Sequence, residues 1–355
     1  MSKRLNHYHI EISFDKKRTE CSVGNIYAKY MSGKENQDSF HFLSDSFTII
    51  ASRSKTFDDG TILSNNINSI NSQILKGLLY YYSLANDFPI IKDVSIIRKR
   101  AKREDYHYSE CKTDIIQPII NQGKFKLPLQ KDKLNIIFEE TEKGNAIRIA
   151  LSYWLKGIAS TERYYKFDHL WRAYNRLFMY QGNDNKEVEC MAKMRTFIIQ
   201  NENIFPNTLS LTNAYTNEDL RSFRWRNLIL NDYSTIKKTK AFCDFILRYH
   251  DVRIMNLLNE MLVYREDFLN QENLLGTVKS HFLSNKKRYD IEMIPLLTIK
   301  YSYFIRNKMF HGEIPDSTFK IHNNNEDIEI DKLNDILSSL ICELTSGHFK
   351  LNIVL

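Results

Sequence analysis

The chain has 355 residues, with 50 Lys and Arg against 43 Asp and Glu, and its formal net charge is +7. Apolar residues make up 43% of it, and 11 Gly and 6 Pro are few for this length, which favours long helices over a turn-rich β architecture. Its length is enough for two domains, or for one domain with a large insertion. The positive charge is compatible with a polyanionic partner.

The five cysteines are odd in number and never occur as Cys-x-x-Cys, which excludes a disulfide framework and a thiolate zinc site. No segment approaches 18 uncharged apolar residues, and the N-terminus lacks the apolar core of a signal peptide, so we expect no membrane span and a cytoplasmic location. No Gly-rich phosphate-binding loop or dinucleotide fingerprint occurs, and no cofactor is expected.

The first 140 residues predict a small α+β domain. Residues 7–14 alternate between polar and apolar, as in a strand, and further short strands are predicted at residues 26–31, 40–43, 47–51, 94–98 and 134–139. Residues 63–81 have apolar side chains at helical spacing. His7 and His9 share one face of the first strand, but no other ligand type clusters near them, so we predict no metal site. A role in sensing a trigger or contacting a partner is the hypothesis for this domain.

The densest basic run follows the predicted strand at 94–98, and Tyr106 and Tyr108 come soon after it. Cations beside aromatic rings are suited to holding an RNA backbone while bases stack. A solvated basic loop is the alternative interpretation. The candidate RNA-binding residues are Arg98, Lys99, Arg100, Lys102 and Arg103.

From residue 145 the pattern is helical almost throughout, so the chain as a whole is predicted to be mainly α. Residues 167–180 form an amphipathic helix with a bulky aromatic stripe. Gly182 and the polar residues after it end that helix. Further helices are predicted within 186–285, including one at 242–262, and a last helix at 331–346.

Near the C-terminus, Arg306 is followed by Asn307 and, five residues on, by His311 and Gly312. A guanidinium offers a planar charged fork to phosphate oxygens, and an imidazole can accept or return a proton near neutral pH. Together they can cleave an RNA phosphodiester without a metal. The spacing alone is not specific, because Arg precedes His by four to six residues at three other places: Arg4/His9, Arg103/His107 and Arg163/His169.

The context of Arg306 is more informative than its spacing. Residues 293–304 predict a helix with Pro295 in its first turn, and Gly312 suits the position just past a helix end. On an ideal helix Arg306 and His311 would lie roughly 140° apart and would not share a face. We therefore expect the helix to end at Gly312, which places His311 on the terminal turn.

These two segments, Arg306-Asn307 with His311-Gly312 and the earlier Leu170-Trp171-x-x-Tyr174-Asn175 helix, resemble the HEPN superfamily (higher eukaryotes and prokaryotes nucleotide-binding domains). The resemblance covers roughly residues 141–355, with an apparent insertion at about 183–285. It implies an all-α bundle that dimerises and brings two Arg/His pairs into one cleft. Many members are metal-independent RNases of toxin–antitoxin, CRISPR-linked or phage-defence systems.

By this resemblance, Arg306 would bind the scissile phosphate, His311 would act as acid or base, and Asn307 would help to position the phosphate or ribose. Asn175 and His169, on the aromatic helix, are secondary candidates. RNA, a second copy of the chain and a defence-system or antitoxin partner are the expected partners. Some toxin members have a modifiable Tyr two residues beyond the His, where this chain has Glu313. The alternative is a bundle that binds RNA or a nucleotide without cleavage, or an interaction protein.

Overall fold

The computed structural model describes residues 5–15, 24–30, 37–84, 88–100, 103–110, 129, 131–313 and 325–352. The fold is mainly helical, with 64% helix, and has an antiparallel sheet near the N-terminus and helices in the C-terminal part. Two compact units are present: Met1–Tyr180 with Thr345–Ile353, and Gln181–Leu344 with Val354–Leu355. These units are defined by contacts within the folded chain. They do not test the predicted boundary between two domains at residue 140, which stays a prediction.

The first unit contains a six-stranded sheet in which all paired strands are antiparallel and the spatial order is β2-β3-β4-β1-β5-β6. Its strands are β1 (Asn6–Phe14), β2 (Gly24–Lys29), β3 (Gln37–Phe42), β4 (Ser46–Arg53), β5 (Ile91–Arg100) and β6 (Arg103–Glu110). The predicted strands at 7–14, 26–31, 40–43, 47–51 and 94–98 each overlap one of these elements, with Tyr30 and Leu43 just past the ends of β2 and β3. The last residue of the second prediction, Met31, lies outside the described residues.

One face of the sheet is covered by helices. α1 (Asp59–Ser64) and α2 (Ser69–Leu84) replace the single helix predicted at 63–81. The break has a local cause, since the Asn68 side chain accepts a hydrogen bond from the Ile70 N–H (2.8 Å) and starts α2. Tyr81 of α2 stacks on Phe14 of β1 with ring centroids 3.8 Å apart, which anchors the helix to the sheet.

The strand predicted at 134–139 is wrong. Lys131–Phe138 is a 3₁₀ helix in which Ile136, Ile137 and Phe138 are all buried. Three consecutive buried side chains cannot be accommodated by a strand with one covered face, because its side chains alternate between the two faces. The helix is followed by α3 (Glu142–Ile158) and α4 (Arg163–Gly182).

α4 confirms the predicted aromatic helix, and its predicted stripe is buried throughout. The stripe consists of Phe167, Leu170, Trp171, Tyr174, Leu177 and Phe178. Asn183, just past the end of α4, has a φ of 43°, a left-handed conformation that Asn adopts more readily than most residues. The chain break predicted here is therefore confirmed.

The second unit is built from short helices and one long one. They are α5 (Glu187–Gln200), α6 (Pro206–Asn213), α7 (Asn217–Arg221), α8 (Trp225–Asp232), α9 (Thr239–Leu247), α10 (Val252–Met261), α11 (Glu266–Gln271), α12 (Leu275–Ser284), α13 (Met293–Pro295), α14 (Ser302–Phe310) and α15 (Asn325–Ser346). The predicted last helix starts six residues earlier than expected, and Glu326 and Asp327 occupy its first turn. Acidic side chains are stabilised there by the helix dipole.

The helix predicted at 242–262 is two helices, α9 and α10. Between them, the buried Glu292 carboxylate accepts hydrogen bonds from the backbone N–H groups of His250 (2.6 Å) and Asp251 (2.8 Å). The break is thus held by a residue more than 40 positions away along the chain. Among the described residues, no helix is long and apolar enough to cross a membrane.

Candidate functional site

The predicted catalytic residues lie at the end of a long helical segment with a wide turn in its middle. α13 continues into a π-helical stretch, Leu296–Tyr301, and then into α14. In the wide turn, the Ser302 N–H and the Ser302 hydroxyl both donate to the Leu297 carbonyl oxygen. π-helical turns occur often at functional sites. The extra residue in such a turn rotates the side-chain directions of all following residues around the helix axis.

α14 ends in a Schellman motif, as the predicted role of Gly312 requires. The Gly312 N–H donates to the Met309 carbonyl (3.1 Å) and the Glu313 N–H to the Lys308 carbonyl (2.9 Å). Gly312 has a φ of +67°, which a residue with a Cβ adopts only under strain. The side chains of Lys308 and Glu313 also form an ion pair, where many such motifs have an apolar contact.

Arg306 is half-buried, and its guanidinium is held by two neighbours on the same helix. Nη1 donates to the Asn307 side-chain oxygen (3.0 Å), and the guanidinium carbon lies 4.1 Å from the centre of the Phe310 ring. The Nε–H is buried and has no acceptor in the described part of the chain. The protein therefore orients this cation, but the buried Nε–H is not open to a ligand from solution.

His311 is the C-cap residue of α14, and its side chain is exposed. Its backbone N–H donates to the Asn307 carbonyl (3.0 Å), whereas its imidazole has no hydrogen-bond partner among residues 131–313 or the other described segments. No hydrogen bond links the His311 imidazole to Arg306 there. The pair predicted from the sequence is present at one helix end, although the two side chains of one chain are not hydrogen-bonded to each other.

A buried polar cluster fixes the start of α14. Tyr301 accepts a hydrogen bond from the Arg224 backbone N–H (2.7 Å) and donates to the Glu329 carboxylate, which also accepts from Arg224 Nε (3.0 Å). Burial raises the pKa of Glu329 and, more strongly, that of Tyr301. Because both groups are fully buried, this cluster holds α8 and α15 against the helix that ends in His311.

Two lysines attach the same helical segment to the end of α8. Lys300 forms an ion pair with Asp232 (2.7 Å), and burial beneath the Tyr233 ring lowers the pKa of Lys300. Lys308, which lies between Arg306 and His311 in the sequence, donates to the Asn231 side chain (3.1 Å). The helical segment that carries Arg306 and His311 is therefore bound to α8 by the two lysines and to α15 by the Tyr301 cluster.

The secondary candidates belong to the other compact unit. His169 on α4 has its Nδ1 2.9 Å from the Tyr165 carbonyl oxygen, and its ring lies 4.1 Å from the Tyr165 ring. Asn175 lies on the same helix and is partly buried. Both residues fall in the unit formed by Met1–Tyr180, whereas Arg306 and His311 fall in Gln181–Leu344. Their participation in a site stays a prediction.

The described residues of the basic run, Arg98, Lys99, Arg100 and Arg103, lie at the paired ends of β5 and β6. Arg98 is not available as an open cation, because it pairs with Asp105 (2.8 Å) and donates to the Phe57 carbonyl. Lys99, Arg100 and Arg103 are exposed, and Lys102 lies outside the described residues.

The rings that follow the run are placed differently from expectation. The Tyr106 hydroxyl accepts from the Asp59 N–H (3.1 Å) and donates to the Asp59 carboxylate. Tyr108 donates to Glu110. Both hydroxyls are thus bound within the protein, and the ring between them in sequence, His107, is the exposed one.

Within the described residues, no group of three or more His, Cys, Asp or Glu side chains is placed to hold a metal ion. His7 instead has its Nδ1 2.9 Å from the Ser52 hydroxyl. The cysteines that the structure describes, Cys190, Cys243 and Cys342, are buried and form no disulfide bond with one another. Cys21 and Cys111 lie outside the described residues.

Comparisons with known proteins leave the resemblance as a hypothesis. No protein-family model matches the chain. Searches of curated proteins and of solved structures also find no significant match. The case for a function therefore depends on the geometry of the site itself.

The sequence analysis identified Arg306 and His311 but not the residues that hold α14 in place. Glu329 and Arg224 are separated by more than 100 positions, and nothing in the local pattern around either one points to the other. The Lys308–Glu313 pair had a visible signal, since opposite charges five residues apart straddle a Gly at a predicted helix end.

Proposed function

We propose that this protein is a metal-independent endoribonuclease of HEPN type that acts as a homodimer. The observation that carries the proposal is the end of α14, where an oriented, half-buried guanidinium stands five residues before an exposed imidazole without a hydrogen-bond partner in the described residues. A histidine placed in this way has no structural task that the described residues reveal, and it is free to exchange protons with a substrate.

The need for two imidazoles is the reason for proposing a dimer. The reaction needs one imidazole to accept a proton and a second to donate one, and a single chain offers only one histidine at this helix end. A two-fold axis near α14 would supply the second, because an isologous interface duplicates every residue of the patch.

The proposed reaction is a transesterification. His311 takes the proton of a ribose 2′-hydroxyl, and the 2′-oxygen attacks the adjacent phosphorus. Arg306 stabilises the charge that builds on the non-bridging oxygens. The bond from phosphorus to the 5′-oxygen breaks as the partner subunit's His311 protonates that oxygen. The products are a 2′,3′-cyclic phosphate and a free 5′-hydroxyl, and no metal is required.

A phage-defence, CRISPR-linked or toxin–antitoxin setting, with an antitoxin or defence partner, is part of the proposal by resemblance alone. The competing function is a module that binds RNA or a nucleotide without cutting it. A single His311 per chain favours that alternative if the protein is monomeric.

Cleavage of a mixed RNA pool in EDTA by the full chain tests the proposal. We expect His311→Ala to lower the rate by about 10²- to 10⁴-fold. Arg306→Lys should lower it by about 10²-fold, because an ammonium cannot bind two phosphate oxygens as a planar fork does. Matched controls are His250→Ala, an exposed histidine of the same unit, and Arg226→Lys, an exposed arginine of α8.

The products distinguish the two functions. A 2′,3′-cyclic phosphate detected by mass spectrometry, lost in His311→Ala and kept in His250→Ala, supports the ribonuclease. Equal residual cleavage by wild type and His311→Ala would defeat it, and RNA binding without cleavage would favour the module.

A further inference from the structure

The side of α4 opposite its buried aromatic stripe has a line of aromatic and basic side chains. The line consists of Tyr165, His169, Arg172 and Arg176. These residues stand at i, i+4, i+7 and i+11, a spacing that keeps them on one face of an α-helix. At 1.5 Å per residue the line is about 16 Å long. All of it lies within the first compact unit.

Three rings pack together at the start of this line. The His169 ring lies 4.1 Å from the Tyr165 ring and 6.0 Å from the ring of Tyr153 on α3. Gly157 lets the two helices approach, since a Cβ there would lie 3.3 Å from the His169 Cβ. Tyr165 is nevertheless 43% exposed. His169 therefore supports a tyrosine ring that faces solvent, and flat ligands stack on such a ring.

Arg176, at the other end of the line, has no partner for its charge among the described residues. It is partly buried, yet its guanidinium makes no hydrogen bond or ion pair there. Its Nε is buried, whereas its two terminal nitrogens are not. Lys166 on α4 and Lys156 on α3 are also without an ion-pair partner in the described part of the chain. An anionic ligand would satisfy these three cations.

The carboxylates of the α3–α4 segment do not cancel this charge. Residues 142–180 contain seven Lys and Arg against three Asp and Glu. Asp168 is paired with Arg172 (2.8 Å), and Glu162 accepts two backbone N–H groups in the first turn of α4. Glu142 lies in the first turn of α3, three helical turns before Tyr153. The surface along the line therefore has a net positive charge.

We propose that this side of α4 binds a single-stranded nucleic acid, with a base stacked on Tyr165 and phosphates held by Arg176 and Lys166. Bases of a single strand stack on aromatic rings while cations follow the backbone. A guanidinium with both terminal nitrogens open can bind two phosphate oxygens at once. A duplex suits the line less well, because its bases are already stacked on one another. This site does not rest on the proposed ribonuclease activity.

Two protein occupants fit this surface less well than a nucleic acid. A second copy of the chain would bring the same positive surface against itself, because an isologous contact duplicates every residue of the patch. An acidic segment of another protein would satisfy the cations but would make no use of the supported ring of Tyr165. A nucleic acid uses both features.

The test uses the full chain with His311→Ala, in EDTA, so that binding is measured without cleavage. Fluorescence anisotropy gives the dissociation constants of a short labelled RNA, of the DNA with the same sequence and of the RNA duplex. Single strands of either sugar should bind more tightly than the duplex. Tyr165→Ser should weaken single-strand binding by roughly 5- to 150-fold, the range for losing one stacked base.

Two further tyrosine variants separate stacking from other effects. Tyr165→Phe should bind like the parent chain, because stacking needs the ring and not the hydroxyl. Tyr27→Ser is the matched control, since Tyr27 is an exposed tyrosine on β2 in the same unit, and it should leave the affinity unchanged.

The cation variants change the salt dependence of binding. For single strands, each lost phosphate contact lowers the slope of log affinity against log salt by about 0.7. Arg176→Gln combined with Lys166→Gln should therefore reduce that slope by about 1.4. Lys55→Gln combined with Lys92→Gln removes the same charge from other exposed positions of the unit and should leave the slope unchanged.

Photo-crosslinking of a 4-thiouridine RNA provides a second measurement that needs no variant of α4. Crosslinks are expected in the peptide that contains Tyr165. The proposal is overturned if the Tyr165→Ser and cation variants bind like their controls, or if crosslinks avoid α4. It is also overturned if polyglutamate displaces the RNA as well as unlabelled RNA does, or if sedimentation shows that Tyr165→Ser dissociates a dimer. Because binding is measured without His311, a failure of the ribonuclease proposal leaves this result unaffected.

Discussion

Lys308 and Glu313 are joined twice at the end of α14, once by a backbone hydrogen bond of 2.9 Å and once by their side chains. The double link closes the last helical turn around Gly312 and leaves His311 on its outer surface. The Glu313 side chain thus has a structural partner within the same helix end.

The first prediction concerns Gly312 and Gly276, at both of which an added Cβ would meet no atom within 4 Å. Gly312→Ala should destabilise the protein by about 1 kcal/mol, because its φ of +67° is strained for any residue with a Cβ. Gly276→Ala, in the first turn of α12, should stabilise it by a few tenths of a kcal/mol. Urea denaturation measures both.

Each glycine variant is a control for the other, because the added Cβ meets no atom within 4 Å at either position. If both changed the free energy of unfolding in the same direction, the left-handed turn after His311 would not be the cause. Gly312→Asn should fall between wild type and Gly312→Ala, because Asn tolerates that conformation.

The second prediction tests whether a site needs both copies of His311. Wild-type and His311→Ala chains are mixed, denatured together and refolded, and cleavage is measured against the wild-type fraction. If each site uses two imidazoles, activity follows the square of that fraction, so equal mixing leaves about a quarter of the activity.

A linear dependence would contradict this scheme and would favour one histidine per site. A mixture with His250→Ala, which is expected to be fully active, checks that refolding itself loses nothing.

The third prediction is the pH profile of cleavage. One imidazole has to be neutral and the other protonated at the start of each turnover, so kcat/KM should rise and then fall around neutrality. Initial rates in buffers of constant ionic strength provide the profile. A rate that stays flat from about pH 5 to 9 would show that histidine is not both acid and base.

The fourth prediction concerns acid stability. The Lys332 ammonium, 2.8 Å from Asp219, and the Thr216 N–H lower the pKa of Asp219 to about 2, from an ordinary 3.8. A depressed pKa means that the carboxylate stabilises the fold above pH 3.8, and that this contribution is lost as the pH falls towards 2. The difference in unfolding free energy between wild type and Asp219→Asn should shrink over that window.

Thermal or urea unfolding of both proteins at several pH values measures this difference. Asp244→Asn, at an exposed position of α9, is the control. Its difference in unfolding free energy from wild type should not decrease comparably over this pH range. A difference that stays constant from pH 5 to 2 would mean that the Lys332 contact does not act on the ionised form.

Local patterns predicted the elements whose causes are local. The alternation of residues 7–14 predicted β1, and the aromatic stripe predicted α4, because one buried face dictates each pattern. Gly312 likewise predicted the end of α14. These elements can be predicted because the residues that cause them are close together in the sequence.

Other features could not be predicted, and some of them depend on residues that are distant in the sequence. The break between α9 and α10 depends on Glu292, and the support of α14 depends on Glu329. The strand predicted at 134–139 failed because apolar residues in succession do not distinguish a strand from a tightly wound helix buried on several sides. The π-helical turn at Leu296–Tyr301 leaves the apolar pattern intact on both sides, so periodicity gave no sign of it.

That wide turn has an evolutionary consequence. It holds one residue more than an α-helix would in the same length, and each residue of an α-helix advances the direction of the side chains by about 100°. Deleting a single residue there would swing Arg306 around the axis by that angle while every amino acid stayed chemically the same. Indels of one codon in this stretch are thus expected to be far less tolerated than point replacements.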